Sequence, residues 1–396
     1  MTEIKQPKLR FSGFTDPWEQ RKLGDVTRII GGGTPDSHNP QYWNGEVNWF
    51  TPTEIDGSHY VKFSKRKITK EGLKKSSAKL LPAGSVLLTS RATIGDMAII
   101  LKPSATNQGF QSIATNANIS NEFIYAMEPK IKAYALKHAA GSTFLEISSH
   151  EVKNMKIPFP SYDEQSKLGD LSVTIGNLIA ANQDKINQLK QLKKLLMQKI
   201  FSQEWRFKGF TDPWEQRKFE SLFRKSRIKN IHLKYSESDI LSVASMEPSA
   251  NHRHSSDEYM KSYNVIYIND IAFEGHTSKE FKFGRFVMND RQDGIVSHVF
   301  DVFRPITKLS PKFIKYFIHD EAIMQKPLLF STSNARMLNS LNVGELNNQI
   351  LSIPSIKEQE KIGKIINVTE FLIAANQKKV DQLKQLKKYL MQNMFV

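Results

Sequence analysis

The sequence predicts an α+β protein in which one unit is written twice: two pseudo-repeated α+β domains joined by two long antiparallel, coiled-coil-like helices about a pseudo-twofold axis. Three observations predict it. FSGFTDPWEQRK at 11–22 returns 196 positions later as FKGFTDPWEQRK at 207–218, with only Ser12 and Lys208 differing. LIAANQDKINQLKQLKKLLMQ at 178–198 returns 194 positions later as LIAANQKKVDQLKQLKKYLMQ at 372–392. Between these constant strings, 23–156 and 219–350 share little identity yet have almost equal length. Self-similarity at a fixed period marks a duplicated architecture. The expected division is 1–160 for the first domain, 161–203 for a central constant helix, 204–354 for the second domain and 355–396 for a C-terminal constant helix.

The variable blocks carry short β-rich runs, SVLLT near Ser85, MAII near Met97, NVIYI near Asn264 and HVFDVF near His298, punctuated by Gly, Pro and Asn. These predict strands. Helical stretches fall near 121–136 and 311–322, without a regular βαβ alternation, so each block is expected to be α+β. The constant segments predict the long helices. Leu168, Leu171, Ile175, Leu178, Ile179, Ile186, Leu189, Leu192 and Leu196 recur at spacings of three and four, and the second copy keeps the register. Asn182 and Asn376 stand at matching places on the stripe, where a polar residue fixes the register of a helix pair. Ser161 and Ser355 follow Pro160 and Pro354 and are expected N-caps. Roughly forty helical residues span ~60 Å, longer than one such domain is wide. The lysines on the outer faces, among them Lys185, Lys190, Lys378 and Lys379, are expected to be solvated.

With 396 residues the chain is long enough for two cores, and 39% hydrophobic residues suffice to fold them. Fifty-six Lys and Arg against 40 Asp and Glu leave a net charge of +16, which attracts a polyanion. The absence of cysteine excludes disulfides, thiolate metal sites and a cysteine nucleophile. MTEIKQPKLRF has no apolar leader run and no stretch approaches the ~20 residues of a membrane span, so a cytoplasmic protein without a membrane partner is expected.

Catalytic signatures are thin. GGGTP at 31–35 lacks the ending of a phosphate loop and the spacing of a dinucleotide fingerprint, and predicts a turn. NPQY at 39–42 is superficially like the motif with which adenine methyltransferases hold a flipped base, but no glycine-rich cofactor strand accompanies it. His252 and His254 flank Arg253 without a fixed pattern of carboxylates and predict a surface loop rather than a metal site. No catalytic residue and no metal ligand is assigned.

The pattern of constant and variable segments, with GGGTPDSHNPQYWNG from Gly31, SRATIGD from Ser90, TNQGFQSI from Thr106, IPFPSYDEQ, ILSVASME from Ile240, GIVSHVFDVFRP from Gly294 and IPSIKEQEKIG from Ile353, resembles the DNA specificity subunit of type I restriction-modification systems. The resemblance covers nearly the whole chain. It implies a non-catalytic subunit without cofactors, whose two target recognition domains each read one half of an interrupted double-stranded DNA site. Its implied partners are two modification subunits, which use S-adenosylmethionine, and two restriction subunits, which use ATP. Phosphate contacts position such a protein and base-edge contacts specify the site. The expected DNA contacts in the first block are Lys65, Arg66 and Lys67 for phosphate, Arg91 for guanine, and Asn107, Gln108 and Gln111 for adenine. Arg285, His298, Asn334 and Arg336 are expected in the second block, which lacks SRATIGD and TNQGFQSI. The rival reading is a basic coiled-coil adaptor that binds only proteins.

Overall fold

The computed structural model describes residues 6–141, 145–249, 256–333 and 338–395. The chain forms two compact units, Met1–Gln183 with Lys378–Val396, and Asp184–Gln377. Each takes part of both long helices, Tyr162–Phe201 and Ile356–Met394.

The strands of the first unit are β1 (Glu19–Lys22), β2 (Thr27–Gly31), β3 (Trp43–Phe50), β4 (Tyr60–Val61), β5 (Arg66–Ile68), β6 (Val86–Leu88), β7 (Met97–Ile100), β8 (Ser104–Thr106), β9 (Gln111–Thr115) and β10 (Lys156–Phe159). They build a five-stranded sheet in the order β2-β9-β6-β7-β4, a three-stranded sheet β5-β3-β8, and the isolated antiparallel pair β1-β10. In β6, β7 and β8 every residue is buried, as continuous apolar or small runs allow when both faces are covered. The β1-β10 pair, with Glu19 opposite Phe159 and Lys22 opposite Lys156, is a neck through which the chain enters and leaves the variable block.

Constant and variable residues share the core above that neck. Trp18, Phe123, Phe159 and Leu168 pack with Met394 and Phe395 from the end of the second long helix. The Phe123 ring lies 6.0 Å from Trp18 and 5.8 Å from both Phe159 and Phe395. The Glu-Gln pair at the start of the helix explains its own recurrence. Glu164, 1% exposed, takes a two-pronged ion pair from Arg10, Nε–Oε1 2.9 Å and Nη2–Oε2 2.6 Å. Gln165 accepts from the Ser120 N–H at 3.0 Å and donates to the Pro160 carbonyl at 3.0 Å, stitching the helix to the block.

The second unit repeats this plan with other residues. Its strands are β11 (Glu215–Lys218), β12 (Phe223–Lys225), β13 (Leu241–Ser242), β14 (Glu247–Pro248), β15 (Asn264–Ile266), β16 (Ile271–Glu274), β17 (Arg285–Met288), β18 (Gly294–Val296), β19 (Val302–Pro305), β20 (Thr332–Ser333), β21 (Ser340–Leu341) and β22 (Ile350–Ile353). The main sheet runs β12-β19-β16-β17, the order β2-β9-β6-β7 of the first unit without its edge strand. β11 and β22 form the neck, Lys218 opposite Ile350. Arg206 grips Glu358 through Nε–Oε1 2.9 Å and Nη2–Oε2 2.7 Å, and Gln359 joins Ser310 N–H to the Pro354 carbonyl. Trp214, Phe313 and Phe317 pack with Phe201 at the end of the first long helix. In both units, therefore, the start of one long helix meets the end of the other, as an antiparallel pair requires.

A seam of buried and half-buried positions runs along the first long helix at 168, 172, 175, 179, 182, 186, 189, 193, 196 and 200, and along the second at 362, 366, 369, 373, 376, 380, 383, 387, 390 and 394. Steps of four and three alternate throughout, the seam of a coiled coil. This corrects the apolar stripe in detail. Leu178 and Leu192 flank the seam and stay 44% and 45% exposed, while Ser172 lies on it beside the expected Asn182. The asparagines behave differently from the expectation of a cross-helix lock: Asn182 and Asn376 each donate to the carbonyl four residues back, Leu178 and Leu372, both at 2.6 Å.

Gly169 interrupts the apolar pattern for a packing reason. A Cβ there would stand 2.6 Å from Glu122 Cβ and 3.1 Å from the backbone of the short helix Asn121–Ala126, whereas a Cβ at Gly176 meets nothing within 4 Å. Gly169→Ala is expected to destabilise by about 1–3 kcal/mol through overpacking. Gly176→Ala is expected to stabilise by about 0.5–1 kcal/mol through helix propensity. Thermal unfolding of the two variants reads the opposite signs.

Candidate nucleic-acid interface

The three strings that carry the first-block resemblance, far apart in sequence, converge on one edge of the first unit. Gly33 N–H donates to the Thr106 carbonyl at 2.9 Å, and Ser90 N–H to the Gly109 carbonyl at 2.8 Å. The close approach explains the triple glycine, since a Cβ on Gly32 would lie 1.9 Å from the Asn107 carbonyl oxygen. Two buried tryptophans hold the turn from beneath: Trp49 Nε1–H donates to the Gly33 carbonyl at 2.8 Å and Trp43 Nε1–H to that of Asp36 at 3.0 Å. Asn39, which prompted the comparison with base-flipping enzymes, accepts from Gln41 N–H and caps the short helix Pro40–Tyr42. Its role is a turn.

Arg66 is laid over the Trp43 ring, its Cζ 3.7 Å from the centroid and 5.4 Å from that of Trp49. Such stacking on an exposed site contributes about 0.5–1 kcal/mol and holds the guanidinium plane in place. Lys65 and Lys67 flank it. The Lys65 N–H donates to Glu54 Oε1 at 2.6 Å, while Glu54 Oε2 accepts from Thr51 N–H and hydroxyl, so one carboxylate anchors the basic run. Between 57 and 95 the chain has nine Lys or Arg and one Glu. Phe63, 61% exposed, sits between Lys62 and Lys102, whose Nζ atoms are 5.5 and 4.9 Å from its centroid. These three are not among the expected contacts, although Lys62 belongs to the basic segment just counted.

The expected base readers have partners of their own. Arg91 Nε is 2.9 Å from Glu146 Oε2, with both side chains at least a third exposed, a pair worth at most about 1 kcal/mol and easily exchanged for another anion. Asn107 Oδ1 accepts from Gly109 N–H at 2.9 Å and Gln108 Oε1 from the Thr34 hydroxyl at 2.5 Å. Both amides shape the loop with their oxygens, so a two-pronged grip on adenine must share an oxygen already in use; the amide N–H donors suit acceptors such as N7. Gln111 begins β9, and its buried Oε1 has no partner.

In the second unit Arg285 is drawn away from the surface, its Nε 2.6 Å from Glu274 Oε2 across the β16-β17 pair. His298 is exposed, its ring 5.8 Å from Tyr259. Asn334 and Arg336 lie outside the described residues, as do His252, Arg253 and His254. What the sequence reading missed is the strip at 221–236, with five Lys or Arg and no acidic residue. It takes in β12 and the loop after it, where the GGGTP turn stands after β2 in the first unit. Lys229 in it loses basicity through burial and the neighbouring Lys225, and donates to the Ser262 carbonyl at 3.0 Å. Exposed Ile228 and Ile231 interleave with its charges. Among the described residues no cluster of His, Asp and Glu is set to hold a metal ion, and no helix is long and apolar enough to cross a membrane.

Residues 15–191 match the family model described as the type I restriction modification DNA specificity domain. Over those residues the chain is similar to that specificity family. The type I restriction enzyme MjaIX specificity subunit of Methanocaldococcus jannaschii is 33% identical over 201 residues, 50% of this chain and 45% of that protein. The EcoR124I/EcoR124II specificity subunit of Escherichia coli is 31% identical over 160 residues, 39% of each chain. The chain thus spans less than half the length of these relatives. The crystal structure of a type I restriction-modification S subunit from M. genitalium superimposes with a TM-score of 0.61 over 99% of both chains at 13% identity, a likeness of fold. The matched residues contain the whole converging edge described above and the neck beneath it.

Proposed function

We propose that the chain is a sequence-specific DNA-binding subunit of a type I restriction-modification complex, non-catalytic in itself, with 1–160 and 204–354 each reading one half of an interrupted duplex site. Segments 161–203 and 355–396 are the constant frame. The observation that carries the reading is that two blocks whose main sheets share a four-strand order and whose loops are unlike stand on the same neck, built from the same EQRK strand. That is the economy of a frame whose readers vary. Its partners in this reading are two modification subunits and, in the full cytoplasmic complex, two restriction subunits. A surface presented twice suits a partner present twice. An open cleft beside Asp16, Pro17, Pro160 and Ser161 has its counterpart beside Asp212, Pro213, Pro354 and Ser355.

Salt dependence tests the nucleic-acid half of the proposal. Counterion release makes the log of affinity fall linearly with the log of salt, with a slope of about −0.9 per phosphate neutralised. Binding of a duplex by the full chain is expected to weaken by orders of magnitude between about 50 and 200 mM salt. Arg66→Ala is expected to reduce the slope by about one. A flat salt response overturns DNA binding in favour of the protein-only adaptor.

A further inference from the structure

The strand order shared by the two units assigns loop to loop where sequence identity does not. In the first unit the loops after β6 and after β8 meet at the Ser90–Gly109 hydrogen bond. β16 takes the place of β6 in the shared order, and β18 comes just before β19 in the chain as β8 comes just before β9, so the matching loops begin at Gly275 and Ser297. These also meet, around a cleft of about 270 Å³ lined by Glu274, His276, Ser297, Phe300, Tyr263 and Ser242. Resting on the proposed DNA-reading function, we infer that this cleft is the base-reading site of the second unit, with Glu274 and His276 as its specificity-determining residues and Arg285 as the positioning residue behind them.

The chemistry of the cleft selects what it reads. Glu274 is mostly buried, and one oxygen is held by Arg285 at 2.6 Å while His276 Nδ1 stands 3.6 Å from the other. An ionised carboxylate only accepts hydrogen bonds, and the only base donors in the major groove are the exocyclic amino groups of cytosine N4 and adenine N6. The arginine offsets the negative charge that would otherwise repel a polyanion and fixes the carboxylate. His276, 60% exposed, supplies a donor at the mouth for an acceptor on the same base pair. Its loop is anchored: Phe281 is buried against His319, ring centroids 5.0 Å apart, and Arg285 Cζ lies 5.1 Å from the Phe281 centroid. The basic strip adjoins the other wall, since Asn230 N–H donates to the Tyr263 carbonyl at 3.1 Å. Phosphate and base contacts are thus supplied side by side.

The experiment is methylation mapping of cells carrying the full chain with its modification subunits, comparing wild type with Glu274→Gln, His276→Ala and Arg285→Lys. Wild type is expected to require one amino-bearing base, C or A, at a position that Glu274→Gln and His276→Ala relax by about tenfold or more, while every other position of the motif persists. The identity of that base distinguishes cytosine from adenine. Arg285→Lys is expected to relax the same position less, because the charge remains while the Nε–H hydrogen bond to Glu274 Oε2 is lost. Should Glu274→Gln fail to accumulate, His276→Ala at its exposed site decides alone. An unchanged motif in His276→Ala overturns the inference, whereas the absence of any bipartite motif in wild type overturns the proposed function instead.

Discussion

Replacing residues 219–349 with the equivalent block of another family member is expected to change one half of the recognised DNA site completely and leave the other half as it was. The cut falls at the neck, where Lys218 and Ile350 pair across β11 and β22, so both ends of the new block meet a surface already in place. The exchange also keeps the anchors: Arg206 with Glu358 lies outside the block, and Gln359 needs only a backbone N–H where Ser310 stands. Each wrong base pair typically costs about 1–3 kcal/mol, so a half-site of several pairs switches by orders of magnitude. Methylation mapping of the chimaera with its modification subunits checks the result. A change in both halves contradicts independent readers, and an unchanged motif places recognition outside the block.

The largest expected loss of stability comes from the paired anchors. Arg206→Met leaves Glu358, 2% exposed, without its cation, and breaking a buried ion pair from one side costs about 3–5 kcal/mol. Because the arginine itself is 18% exposed, the lower end, about 3 kcal/mol, is expected for the second unit. The double variant Arg206→Met with Glu358→Leu should recover most of that loss, since the penalty lies in the stranded carboxylate. Arg10→Met is expected to do the same to the first unit through Glu164. Chemical unfolding followed separately in each unit, by hydrogen exchange of the neck strands, measures both. Equal stability of the single and double variants would show that the carboxylate finds water instead.

Periodicity and repetition made the frame legible in the sequence. The long helices, the N-capping Ser161 and Ser355, and the short strands around Val86, Met97 and Val302 all follow from local pattern. The apolar stripe runs slightly off the seam because leucine abundance marks Leu178 and Leu192, while the seam follows the 3.5-residue repeat that also carries polar Ser172. Gly169 read as a flaw in the helix because the atom it yields to, Glu122 Cβ, comes from a distant segment. The site was legible in part. The charge of the 65–67 run is plain in the sequence, but the seat of Arg66 on Trp43 depends on a strand pairing no local pattern displays. Arg285, an expected DNA contact, pairs with Glu274, because neighbouring strands place the two opposite each other. The second unit's loops could be matched to the first only by strand order, for identity between the blocks is too low to align them.

The central claim is that one chain holds two independent readers of a single duplex. Long-read methylation sequencing of cells that express this chain with its modification subunits tests it most directly. The predicted result is one asymmetric motif with two specified half-sites separated by unspecified bases, lost when the chain is omitted. A single uninterrupted motif, or methylation whose sequence does not depend on this chain, would contradict it.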